Sequence, residues 1–120
     1  MIGETDFRFP KSARLLTSRE FQQVASQGKR YSSRCFNLLV RRSDHPLPRL
    51  GITVSRKVGK AVSRTRIKRV IREFFRLHRP RLTQNMECVI IAKPPAGQTV
   101  NAELTRMLRE LFASSSTLTV

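Results

Sequence analysis

Acidic side chains are scarce in this sequence, with eight Asp and Glu against 24 Lys and Arg among 120 residues, a formal net charge of +16. The eight, Glu4, Asp6, Glu20, Asp44, Glu73, Glu87, Glu103 and Glu110, are scattered along the chain. Two-metal phosphodiester chemistry needs several carboxylates converging on one site, so this pattern argues against an autonomous metal-dependent nuclease. No Ser-His-Asp or Cys-His arrangement suggests itself either, and no catalytic residue is expected on the chain. Cysteine is limited to Cys35 and Cys88, each flanked by apolar residues and without a neighbouring Cys or His in metal-ligand spacing. Two reduced, buried thiols are expected in place of a disulfide or zinc site. His45, in a Pro-flanked loop, and His78, at a basic helix end, read as surface or packing residues. No apolar run approaches the roughly 20 residues that a spanning helix requires, and residues 1–10 lack the apolar stretch of a signal peptide. The expectation is a cytoplasmic protein with no membrane contact.

What the sequence does contain is enough apolar residue, 39%, for one modest core, and neither an internal repeat nor a linker divides it. A single domain over residues 1–120 is expected, with 1–16 as an extended arm and 114–120 as a frayed tail. The charge calls for a polyanionic partner, and nucleic acid fits better than an anionic membrane face or an acidic protein.

Thr17 followed by Glu20 forms a capping box, with Leu16 and Phe21 placed for a hydrophobic staple, and Phe21, Val24 and Ala25 recur at helical spacing until Gly28. A short first helix follows. Over residues 34–42, Phe36, Leu38 and Val40 alternate with Asn37, Leu39 and Arg41, and over 49–56, Leu50, Ile52 and Val54 alternate with Gly51, Thr53 and Ser55. With a proline-marked turn at 44–48 between them, these two strands are expected to pair as an antiparallel hairpin. A long helix is predicted over 60–79, where Ile67, Val70, Ile71, Phe74 and His78 share one stripe and Pro80 marks the end. The continuous apolar run of residues 88–92 predicts a strand over 87–93 buried on both faces. Asn101 is positioned to cap a last helix with Leu104, Met107, Leu108 and Leu111 as its stripe. The order αββαβα implies a small two-layer α/β sandwich.

Arg56, Lys57, Lys60, Arg64, Arg66, Lys68, Arg69, Arg72, Arg76, Arg79 and Arg81 crowd one segment, opposed there only by Glu73. At about 100° per residue, Lys68, Arg69, Arg72 and Arg76 fall opposite the apolar stripe, with Arg64 and Arg66 flanking it. Like charges at i, i+4 cost a few tenths of a kcal/mol per pair. A cost repeated along one face points to a polyanion that offsets it, and the preference for Arg over Lys suits bidentate phosphate contacts.

The segment from Pro48 onward resembles the signature of the bacterial ribonuclease P protein family. Gly51, Arg56, Lys57, Gly59, Arg64, Arg66, Ile67, Lys68, Arg69 and Arg72 match that pattern in order and spacing. Thr65 stands where the family has Asn, giving an Arg-Thr-Arg variant of its motif, and Lys60 replaces another common Asn. Residues 14–21, 90–93 and 111–115 also fall where the family has counterparts, so the resemblance covers most of the chain from Arg14. It implies an α/β fold of order αβββαβα, one strand more than the periodicity reveals. It further implies a protein subunit that binds a catalytic RNA and the 5′ leader of precursor tRNA, assisting removal of that leader. Arg56, Lys60, Arg64, Thr65, Arg66, Lys68, Arg69, Arg72 and Arg76 are the implied contacts to the catalytic RNA.

The implied leader cleft lies between the first helix and the sheet. Its candidates are Phe21, Ala25, Asn37, Leu39, Arg41, Thr53, Ser55 and Lys57, where Leu39 and Lys57 are expected to face outward. Of the family's leader-contacting aromatic positions, Phe21, Ala25 and Leu39 here, only Phe21 is aromatic, which thins the stacking available to unpaired bases. Mg²⁺ is expected through the RNA subunit and none bound by the protein itself; no protein partner is predicted. A ribosomal or other structural RNA-binding protein, or a helix-in-groove DNA binder, is the alternative that composition leaves open.

Overall fold

The structure is a computed structural model that describes residue 14 and residues 17–43, 47–82 and 85–115. The order is α1 (Ser18–Gln27), β1 (Lys29–Ser32), β2 (Phe36–Arg42), β3 (Arg49–Val54), α2 (Ala61–His78), β4 (Met86–Ala92) and α3 (Asn101–Ser114), with 3₁₀ turns at Arg56–Val58, Arg79–Arg81 and Pro94–Gln98. The capping box forms as expected, the Glu20 amide donating to Thr17 Oγ1 at 3.2 Å and the Thr17 amide to Glu20 Oε1 at 3.1 Å. The staple partner Leu16 lies outside the described residues, as do His45 and the arm up to residue 13. Helix α1 gives way to extended backbone at Gly28, where only glycine fits: a Cβ there would lie 2.6 Å from the Val24 carbonyl oxygen and 2.7 Å from that of Val40.

The additional strand is β1. Its residues are mostly exposed, so it lacks the alternation that betrays a strand, and it is held by antiparallel pairing to β2, Lys29 opposite Val40 through Ser32 opposite Asn37. The expected β2–β3 hairpin does not form. The sheet order is β1-β2-β4-β3, and β4 lies between the two, antiparallel to β2 and parallel to β3, with Ile90 opposite both Leu38 and Ile52. Burial explains the insertion. The run Met86–Ala92 is buried at every position but Ile91, and only a central strand covered on both faces accommodates it.

Two layers therefore become three. One sheet face, with Phe36, Leu38, Leu50, Cys88 and Ile90, packs beneath α2 and α3, whose Ile67, Ile71, Phe74, Phe75, Leu104, Met107, Leu108, Leu111 and Phe112 complete the main core. The other face carries Leu39 and Val89 beneath Val24 of α1, with Phe21 and Ile91 at the margin. The α2 stripe is wider than the periodicity suggested, since Phe75 is fully buried. Asn101 is the first residue of α3, not its cap, and its side chain accepts from Arg66 instead. The helix continues through Ser114, the start of the expected tail, and residues 116–120 lie outside the described set. Both cysteines are free and buried. Among the described residues no helix is long and apolar enough to cross a membrane.

Candidate RNA interface

Helix α1 covers only part of its sheet face and leaves a groove of about 540 Å³ against β3. Thr17, Ser18, Phe21 and Gln22 line one wall, Ile52, Thr53 and Val54 another, and Lys68 of α2 closes the end. The Phe21 ring lies on Gly51, so closely that a Cβ there would come within 2.7 Å of the ring. Glycine at this position is thus a requirement of packing. The groove offers an aromatic face, hydroxyls and one cation, a set that suits a single-stranded, anionic polymer.

The predicted cleft residues do not all meet there. Phe21 and Thr53 line the groove. Ala25 is exposed on α1, Ser55 follows the end of β3, and Lys57 is exposed in the 3₁₀ turn beyond it. Asn37 accepts from the Ser32 hydroxyl at 2.6 Å. Leu39 does not face outward: it is 5% exposed, under α1 with Val24 and Val89. The alternation placed it on the correct face, but α1 packs on that face as well.

Arg41 is committed elsewhere, its Nη1 donating to Glu87 at 2.7 Å and its Nε to Gln27 at 2.7 Å. Glu87 is 4% exposed and also binds Arg49, whose Nη1 continues to Glu20 at 3.1 Å. This chain of charges fastens both ends of α1 to the sheet. Burial alone would lower the Arg49 pKa, but the hydrogen bond and charge of Glu87, with Glu20 behind, hold it above its ordinary value. The strand pattern gave no sign of the network, because it requires β4 to lie between β2 and β3.

The candidate catalytic-RNA contacts on α2 and in the turn before it differ in their surroundings. Arg56, Lys60, Thr65, Arg69 and Arg72 are exposed. Arg64 is half-buried and donates from Nε to the Gly59 carbonyl at 3.2 Å. Lys68 turns into the α1–β3 groove instead of joining the outward rail. Arg66 turns toward α3: Nη1 donates to the Thr99 carbonyl at 3.0 Å and Asn101 Oδ1 at 2.7 Å, and Nη2 to the carbonyls of Ala96 and Gly97. Arg76 is paired with Glu73, which lowers the pKa of that carboxyl through the hydrogen bond.

The sequence matches the Ribonuclease P family over residues 9–115. It is 48% identical to the ribonuclease P protein component of Desulfosudis oleivorans over 112 residues, 93% of each chain. It is 44% identical to that of Syntrophus aciditrophicus, covering 84% of this chain and 82% of the relative. The fold superposes on the Staphylococcus aureus RNase P protein with a TM-score of 0.86 at 28% identity, over 90% of this chain and 99% of that one. For the Thermotoga maritima RNase P protein the TM-score is 0.73 at 29% identity, over 82% and 94%. Sequence over nearly the whole length and the shared arrangement of strands agree: the chain belongs to the bacterial ribonuclease P protein family, a subunit of the endoribonuclease that processes the 5′ ends of precursor tRNAs.

Proposed function

We propose that the exposed cations of α2 and of the turn before it, Arg56, Lys60, Arg69 and Arg72, hold the catalytic RNA through its phosphates. The α1–β3 groove receives the 5′ leader of precursor tRNA. The observation that carries this reading is the groove itself, which joins the Phe21 ring, the Thr53 hydroxyl and the Lys68 ammonium. The described carboxylates are already matched by guanidinium groups, Glu20 and Glu87 by Arg49, Glu73 by Arg76, and Glu103 and Glu110 by Arg106. A donor set occupied in this way does not fit a protein-borne Mg²⁺ site, and the cleavage chemistry, with its Mg²⁺, is assigned to the RNA. The protein supplies positive charge between two RNAs, replacing counterions.

The test is a reconstitution. Purified protein alone is expected to leave precursor tRNA intact at every Mg²⁺ concentration, and added bacterial ribonuclease P RNA to give 5′ processing at low Mg²⁺. In the assembled enzyme, Thr53→Asp should weaken precursor tRNA without weakening catalytic-RNA binding, and Arg72→Ala should do the reverse. Cleavage by RNA-free protein, or exchanged phenotypes for the two variants, would overturn the assignment.

A further inference from the structure

A second groove, of about 780 Å³, lies between α2 and α3 on the opposite side of the sheet from α1. Val70, Phe74 and Leu77 give it an apolar wall with the His78 ring beside them, and Leu77 is 46% exposed although it belongs to a helix packed on the core. Its rim is cationic: Arg69 on α2 and Arg109 on α3 make no hydrogen bond or ion pair among the described residues. The one acid at the groove, Glu73, is neutralised by Arg76. The walls are preset, because Arg66 ties the start of α3 to α2 and Phe74 stacks on both His78, at 4.1 Å, and Phe112, at 5.4 Å.

We infer that this groove binds an unpaired nucleotide of the catalytic RNA, its base on Leu77 and His78 and its phosphate between Arg69 and Arg109. The inference rests on the proposal that α2 holds that RNA. Arg69 belongs both to the outward cations and to the groove rim, so an RNA backbone following α2 passes the opening. A base stacked within a duplex cannot reach an apolar wall, whereas an unstacked one gains from leaving water. Unmatched cations on both helices favour RNA over an amphipathic peptide, which would need carboxylates to match the rim.

The test uses Thr105, which lines the groove. Because Cys35 and Cys88 are fully buried, a Thr105→Cys variant takes an azidophenacyl label at one position only. Reconstituted with a bacterial ribonuclease P RNA and precursor tRNA and irradiated, it is expected to cross-link to unpaired nucleotides of the catalytic RNA, located by primer extension. Cross-links to duplex nucleotides, to precursor tRNA, or to no RNA would overturn the inference. In parallel, Arg109→Glu should reduce catalytic-RNA affinity about tenfold at low salt, with the reduction fading as salt rises. If Lys60→Ala, outside the groove, weakens binding and Arg109→Glu does not, the groove inference fails alone. If neither weakens it, the reading of α2 fails as well.

Discussion

Arg49 and Glu87 are cross-strand partners on the parallel strands β3 and β4, and their ion pair lies beneath α1, with Arg41 on the far side of Glu87 and Glu20 on the far side of Arg49. A carboxylate this buried is tolerable only because two guanidinium groups surround it.

Removing Glu87 leaves two arginines facing each other in a half-buried site. Glu87→Ala is expected to destabilise the fold by about 3–5 kcal/mol, read as a lower midpoint in urea unfolding, whereas Glu103→Ala at the exposed Arg106 pair should leave that midpoint nearly unchanged. Equal effects at the two sites would show that the Glu87 network carries no special share of stability.

Gly51→Ala forces the Phe21 ring away from β3, since the added carbon falls inside its van der Waals surface. Overpacking of this kind costs about 1–3 kcal/mol. The folded variant should bind catalytic RNA normally and discriminate less between precursor and mature tRNA in competition binding; unchanged discrimination would remove Phe21 from the leader groove.

Arg66 and Arg69 are three residues apart on α2 and should behave as different kinds of residue. Arg66→Ala removes charge-assisted bonds to the segment before α3, worth about 1.5–3 kcal/mol for a bond to a charged group, and should lower the melting temperature. Arg69→Ala should leave melting unchanged and reduce the salt dependence of catalytic-RNA binding by about 0.7–0.9 in slope. A normal melting temperature for Arg66→Ala would return that residue to the set of phosphate ligands.

Burial pushes the Cys88 thiol well above its ordinary range, with the neighbouring Glu87 charge adding to the effect. Because the folded pKa is raised, the unfolded chain loses its thiol proton first as pH increases. The contribution is complete at neutral pH and is lost as pH rises above the ordinary thiol range. Stability should therefore fall more steeply with pH in alkaline solution than it does for Cys88→Ala, each measured by urea titration. Native protein should also resist alkylation by iodoacetamide until denaturant is added, and rapid labelling of the native state would contradict the buried thiols.

Local chemistry was legible in the sequence wherever it acts within a few residues. The Thr17–Glu20 capping box, the stop at Gly28, the stripe of α2 and the doubly buried run of β4 each depend on spacing along one element. The segment rich in arginine likewise announced a polyanionic partner, and its irregular motif announced the family. Tertiary structure alone decided the strand order, because alternation states which face a residue occupies and not which strand lies beside it. Hence Leu39 shares a face with Thr53 and yet is buried where α1 packs, while Thr53 stays open to the groove. The same holds for charge. Arg41, Arg66 and Arg69 are equivalent as letters, but only Arg69 remains unmatched, because the carboxylate and carbonyls that hold the other two come from β4 and from the segment around Ala96–Asn101, distant in sequence and adjacent only after folding.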